Sequence, residues 1–355
     1  MLKRLLLLNQ GFKLPPKPLM EIMDHAAIQQ TGESIAEWQL PSGMIPWFPN
    51  GHADPWNHIE AAMALDIAGL SNEASRAYQW LEKIQLPNGS WHNYYLESGI
   101  EQDKIDSNCV AYIATGVLHS YLISKDSGFL ETMWKVVEPA IDFVIDMQTE
   151  RGEIIWACHS DGTPWSYALL TGSSSISHSL RAAIAIAKEL GFEKPEWEHA
   201  CQKLINVIQT VPGAFAPKER WAMDWYYPVL AGVLTGDTGE KHLNEKKTIF
   251  EIEGKGIRCV SDRPWVTTAE TCECAMAYLV VGNADHAISL FSQIQDYRNE
   301  DGRYLTGMVY PDYVPFPEDE HSTYSAAAVL IAADSLMGLT DASPIFREHD
   351  FLPIL

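Results

Sequence analysis

The feature that most constrains this chain is a hidden repeat. Several segments open on a Gly- or Pro-marked loop, pass through a polar or aromatic cluster, and continue as a small-residue apolar run. They begin at Asp54, Asp106, Ser175, Asp224, Glu270 and His321, roughly fifty residues apart with one longer interval, a spacing that marks a repeat architecture. The apolar runs carry few charges, so the helices they predict are buried on nearly every side. Between them, segments 74–85, 129–148, 196–210 and 284–297 mix apolar and charged residues at helical spacing, as half-exposed helices do. Six buried helices alternating with six half-exposed ones give an all-α fold, an (α/α)6 barrel of six hairpins with inner and outer rings. The hairpin around 222–250 is the least regular. No Pro/Ser-rich linker divides the chain, so residues 1–355 read as one domain with a short extension over 1–17. If the polar clusters sit at the N-terminal ends of the inner helices, they converge on one mouth, where unpaired N–H groups gather.

Charge narrows the partners. A formal net charge of -22 repels phosphate backbones, which argues against nucleic acid, and it opposes docking on anionic lipid without barring weak peripheral contact. Apolar content of 46% is enough for a sizeable core. The cysteines at 109, 158, 201, 259, 272 and 274 fall mostly in or beside helical segments, which suits free thiols in a reducing compartment. The run Leu5–Leu8 stops well short of a signal h-region or a membrane span, so a cytoplasmic protein is expected.

Aromatics crowd the predicted mouth: Trp47, Trp56, Trp91, Trp165, Trp221, Trp225, Tyr226, Tyr227 and Trp265. Each has a plain reading as a loop anchor in the core. Together they read as a surface that stabilises cations or stacks on sugars. The titratable residues of the same region are His58, Glu60, Asp103, Asp106, His178, Asp224, Glu270, Glu273 and His321. Asp106 has two readings. As a helix N-cap it accepts backbone N–H bonds and is a permanent anion. As a proton donor it needs burial and an orienting partner, which Asn108 could supply.

Gln85-Leu-Pro-Asn-Gly-Ser-Trp91 spaces Gln, Gly and Trp as QW-type motifs do, and looser versions start at Gln148 and Asn299. Structurally, a helix-ending Gln can bond across to the next hairpin while Gly turns and Trp packs above. The motif resembles the prenyltransferase and squalene-oxidase repeat, from about residue 40 to 340. With Asp106-Ser-Asn108 opening the second inner helix, the chain looks most like monodomain class II terpene cyclases of the merosterolic-acid synthase type. That resemblance implies protonation of a linear polyprenyl or prenylated aromatic substrate, with no metal or organic cofactor. Larger cyclases carry Asp-x-Asp-Asp; here only its first carboxylate stands, at Asp106. The expected catalytic set is Asp106 as acid with Asn108 and His58 in support, although His58 also reads as an ordinary first-turn histidine. Trp47, Trp56, Trp91, Trp165, Trp221, Trp225, Tyr226, Trp265, Glu270, His321 and Tyr324 are expected to line the substrate site. Arg258 and Arg263 either hold an anionic head group or pair with Asp262 and other acids.

Other readings stand beside this one. The same barrel hosts glycoside hydrolases and sugar epimerases, in which Asp106 with Asp224 or Glu270 would be acid and base. Glu270-x-Cys272 with His321 resembles the zinc ligands of protein prenyltransferases. Thr171-Gly-Ser-Ser-Ser-Ile-Ser looks like an anion-cradling loop, but with a single Gly and no Lys it is weak evidence for phosphate. A helical scaffold that binds a partner at its mouth is the non-enzymatic rival.

Overall fold

The computed structural model describes residues 22–354. The expected N-terminal extension, including Leu5–Leu8, lies outside the described residues.

The repeat is a ring of helices. The inner helices are α2 (Pro55–Ile67), the interrupted pair α4 (Ser107–Ala111) and α5 (Ile113–Ser124), α7 (Leu170–Glu189), α9 (Met223–Leu230), α11 (Thr268–Val280) and α13 (Thr323–Met337). Each packs on the next, and α13 closes back on α2, so the inner ring is complete. Outside it stand α1 (His25–Trp38), α3 (Ser71–Ile84), α6 (Ser127–Asp146), α8 (Pro195–Thr210), α10 (Gly236–Phe250) and α12 (Ala284–Ile294). This is the all-α (α/α)6 barrel that the spacing predicts. Composition explains the two rings. In α13 every residue but Tyr324 is buried, because its Ala-rich turns meet neighbours on both sides and at the back. In α3 only Ala74, Ala77, Tyr78, Trp80 and Leu81 are buried, one stripe of an amphipathic helix. The hairpin read as least regular holds the shortest full inner helix, α9, whose run is interrupted by Pro228.

The QW-type residues are the hinges of this ring. The Gln85 side-chain amide donates to the Gly89 carbonyl and to Val136 in the next outer helix, both at 2.8 Å. Gln148 does the same to Gly152 and Ala200, and Gln39 to Gly43 and Glu73. The Trp91 indole donates to the Leu81 carbonyl at 2.9 Å and is buried beneath the turn. Gly89 has φ +86, and a Cβ there would stand 2.2 Å from the Pro139 carbonyl oxygen. Each staple therefore ties a turn carbonyl of its own hairpin to a backbone carbonyl within the next outer helix.

Thr171–Ser177 is no loop. It lies within α7, which starts at Leu170, ahead of the expected Ser175. The six cysteines are free and buried. Among the described residues no helix is long and apolar enough to cross a membrane.

Candidate active site

The inner helices start on the same side of the ring, and their capping residues meet there. Asp54 caps α2, accepting from the Asn57 backbone at 3.0 Å, with Pro55 filling the first helical position. Asp106 caps α4, accepting from the Asn108 and Cys109 amides. Asp224 and Glu270 occupy the first turns of α9 and α11. A three-stranded antiparallel sheet of β1 (Trp265–Thr267), β2 (Leu305–Val309) and β3 (Val314–His321) walls one side of the mouth. These elements enclose a cavity of about 860 Å³ lined by carboxylates among aromatic and apolar side chains.

The aromatic wall includes Trp47, Trp56, Trp156, Trp221, Trp265, Tyr94, Phe316 and Tyr324. Trp265 stacks on Phe316 with centroids 4.4 Å apart, and Trp47 meets Tyr324 edge-on at 5.0 Å. Trp221 stands at the rim with 45% of its surface exposed and the Arg220 guanidinium 5.4 Å over its ring.

The carboxylates have unlike surroundings. Asp106 is the most closely bonded: Trp156 Nε1 and two backbone amides donate to it, and the Lys104 ammonium lies 3.9 Å away. Burial pushes its pKa up, against Lys104 and these donors. Asp54 accepts from Trp47 Nε1 and Asn57 Nδ2 on Oδ2, both at 2.7 Å, and only from the Asn57 amide on Oδ1. Its pKa is also raised by burial. Asp224 takes the Thr171 amide and hydroxyl on one oxygen. Glu270 is recessed into the wall; burial raises its pKa, opposed by the Thr267 hydroxyl and its own backbone. Deeper in the site, Glu60 accepts from Trp56 and Tyr112, and Glu273 from Tyr226 and Tyr227. Burial raises both, Glu60 to about 7, and repulsion from Glu60 pushes Glu273 up further while Asp54 does the same to Glu60.

Of the residues expected at the site, Asp106, Asn108, Trp47, Trp56, Trp221, Trp265, Glu270 and Tyr324 line this cavity. His58 does not. Its Nδ1 accepts from the Ile45 amide at 3.1 Å and its Nε2 faces the Ala77 carbonyl at 3.0 Å. Both nitrogens are spent on backbone, and burial lowers its pKa to about 4, so it is a neutral core staple that cannot charge beside Asp106. Trp91 packs under its turn. Trp225 is buried, stacked on Phe250 and bonded to the Leu243 carbonyl. Tyr226 is buried behind Glu273. Trp165 meets Trp156 edge-on at 5.0 Å from behind the wall. Arg258 bonds the Ser261 carbonyl, and Arg263 is exposed over Trp265; it is Arg220 that pairs with Asp262, at 2.7 Å. His321 lies in a second groove. His178 stacks on Phe346, away from the cavity.

The zinc reading fails on placement. Cys272 is wholly buried, Glu270 faces the cavity and His321 the outer groove. Among the described residues, no group of three or more His, Cys, Asp or Glu could hold a metal ion.

Sequence reasoning missed Asp54, Tyr94, Lys104, Trp156, Arg220 and Glu320, all of which line the cavity. Asp54 had a signal: it heads the first repeat segment as Asp106 heads the second. Trp156 lies in a loop between hairpins and had none.

No protein-family model matches the chain. The MMP endo-(1,4)-3-O-methyl-alpha-D-mannosidase of Mycolicibacterium hassiacum is 48% identical over 322 residues, which cover 91% of this chain and 89% of that protein. The chain belongs to the family of that endo-mannosidase. Solved structures of a wild-type glycosidase and of cellobiose 2-epimerase from Spirochaeta thermophila share the fold. Their TM-scores are 0.72 and 0.67, at 12% and 14% identity, over 92% and 91% of this chain and 100% and 98% of theirs. Membership of the endo-mannosidase family overturns the terpene-cyclase resemblance, and with it the expected cyclisation, meroterpenoid role and lipophilic prenylated partner. The chain is an enzyme of glycosidase type.

Proposed function

We propose that this chain is an endo-acting glycoside hydrolase that cleaves internal α-(1,4) linkages in a polymer of 3-O-methyl-D-mannose, with Glu270 as general acid and Asp54 as general base. The observation that carries the reading is the 48% identity, over nine-tenths of the chain, to a mannosidase with that activity in its name.

The cavity supports the division of labour. A general acid must stay protonated near neutral pH, and Glu270 is raised by burial with no cation beside it. A base must stay anionic yet keep a lone pair. Asp54 fits: burial raises its pKa too, but three N–H donors and the nearby His52 oppose that rise, and Oδ1 accepts only one of those donors. Asp106 is a poorer base, since Lys104 neutralises it. Its place suits an oriented acceptor for sugar hydroxyls. Asp54 and Glu270 also flank one aromatic pair: Trp47 bonds Asp54 and touches Tyr324, and Tyr324 lies within the field of Glu270. Glu270 would protonate the leaving oxygen while Asp54 takes a proton from the attacking water on the opposite face, inverting the anomeric centre. Leu169, Met223, Val260 and Ala269 give the same cavity apolar surface that suits methoxy groups.

The test is digestion of methylmannose polysaccharide, followed by size-exclusion chromatography and proton NMR. Early appearance of mid-length fragments with inverted reducing ends is expected. Release of single sugars from one end, or intact polymer, would overturn the reading.

A further inference from the structure

A second groove of about 730 Å³ opens beside the catalytic cavity. The two share Phe48, Pro317 and Glu320 as a common wall. We infer that this groove, floored by Trp38 and edged by His321 and Asn299, is a distal subsite for the sugar units of the same polysaccharide beyond those in the catalytic cavity. The inference rests on the proposed endo-glycosidase reading.

Continuity is the first argument. The loop that carries Trp47 and leads to Asp54 also carries Phe48 and Pro49, which face the groove. The strand that walls the catalytic cavity, β3, supplies Glu320 to both spaces and His321 to the groove alone. A chain cut in its interior must leave the cavity, and this is a channel beside it.

Chemistry is the second. The groove offers one large aromatic surface within a rim of hydrogen-bonding groups, the mixture that a neutral, hydroxyl-rich polymer requires. The Arg303 guanidinium lies over the Trp38 ring at 4.8 Å and is itself fixed by Asp301 and Glu37, so the platform is rigid. Asn299 Nδ2 donates to His321 Nε2 at 2.7 Å, and His321 Nδ1 sits 3.1 Å from the Asp319 carbonyl oxygen. Glu320 accepts from the Thr306 hydroxyl at 2.9 Å, leaving its second oxygen for a ligand. At this volume the groove admits a ligand of more than one sugar ring.

The experiment compares a short 3-O-methylmannose oligosaccharide with the full polysaccharide, in wild type, Trp38→Ala and His321→Ala. Thermal melts accompany the kinetics, so that His321→Ala carries the test if Trp38→Ala is unfolded. In wild type, kcat/KM on the polysaccharide exceeds that on the short substrate, and the ratio falls about ten-fold in either variant. In the uncleaving Glu270→Gln background, the same substitutions weaken polysaccharide binding by a similar factor. Ratios and binding equal to wild type would overturn the subsite. So would loss of a dimer in Trp38→Ala at an unaltered ratio, which would make the groove a contact between copies. If wild type cleaves neither substrate and Glu270→Gln binds neither, the glycosidase reading falls and takes the subsite with it; cleavage without length dependence removes the subsite alone.

Discussion

Asp66 is a buried carboxyl placed where nothing supports its charge. It lies in the last turn of α2, at the end of the barrel away from the mouth, with 7% of its surface exposed. There the helix dipole is unfavourable to an anion. Its Oδ2 has no partner among the described residues, and the Ser120 hydroxyl gives the only relief. Burial raises its pKa from 3.8 to about 7. A folded value above the unfolded one means that the native state keeps a proton the unfolded chain has lost. Stability is therefore lost as pH rises from about 4 to about 7, and the loss is complete above that. At about 1.4 kcal/mol for each decade of proton affinity, the full effect is about 4 kcal/mol. Asp66→Asn removes the titration. Because the amide must find its own acceptor, the expected gain at about pH 8 is roughly 2–4 kcal/mol, against little change near pH 4. Urea unfolding followed by tryptophan fluorescence, for both proteins at several pH values, isolates this one group, since every other titration is common to both. A stability difference that does not grow with pH would refute the argument, as would a variant weaker than wild type at about pH 8.

At the site, Glu270→Gln removes the proton donor while keeping its shape. A fall of about 10²–10⁴ in kcat on the polysaccharide is expected, largely restored on an aryl glycoside whose leaving group needs no acid. Since burial raises the Glu270 pKa, the acid form persists to higher pH and activity falls as pH climbs through that value; this alkaline limb should vanish in the variant. An unchanged limb would mean that another group is the acid. For the staples, Gly89→Ala should cost more than about 3 kcal/mol, because a Cβ meets the Pro139 backbone at 2.2 Å in addition to the left-handed φ. Gly69→Ala, at φ +78 with open space around it, should cost only about 1–2 kcal/mol by thermal melt; equal costs would show that the steric part is illusory. Gln148→Ala leaves the Gly152 and Ala200 carbonyls without their donor and should lose about 1–3 kcal/mol, checked by the same melts.

The barrel was legible in the sequence because each of its parts is local. Apolar runs with few charges mark the inner helices, mixed ones the outer, and the Gln–Gly pairs mark the turns between them. What the staple cannot report is chemistry. Gln85 and Gln148 bond only backbone carbonyls on the outside of the ring, so the motif specifies how hairpins join and is silent about the mouth. Taking it as evidence of a terpene cyclase transferred an activity through an architectural device. Aromatics suffered from a similar ambiguity. Trp91 and Trp225 have the same local setting as Trp47 and Trp265, yet two are core and two face the cavity, because the deciding neighbours come from Leu81, Leu243 and the β1–β3 sheet.

The proposed shift of the acid from Asp106 to Glu270 turns on a related point. Asp54, Asp106 and Glu270 all begin inner helices, and the chain near each one reads alike. What separates them is the charge and the donors that the fold brings up. Lys104 stands two residues from Asp106, but its partner Trp156 arrives from fifty residues downstream, and together they oppose the rise that burial imposes on the Asp106 pKa. Trp47 reaches Asp54 from the preceding loop and brings no charge. Glu270 receives no cation, and the neighbour that lies over it, Tyr324, comes from the next inner helix. An acid is a residue that its surroundings leave protonated, and those surroundings are assembled by closure of the ring. The sequence can nominate Asp106, Asp224 and Glu270 at the mouth; only the closed barrel gives each carboxylate its own donors and charges, on which the proposed division into acid, base and hydroxyl acceptor rests. If Asp106→Asn lowers activity chiefly through KM while Glu270→Gln and Asp54→Asn act chiefly on kcat, that sorting is right, and the reverse pattern would return Asp106 to the centre of the mechanism.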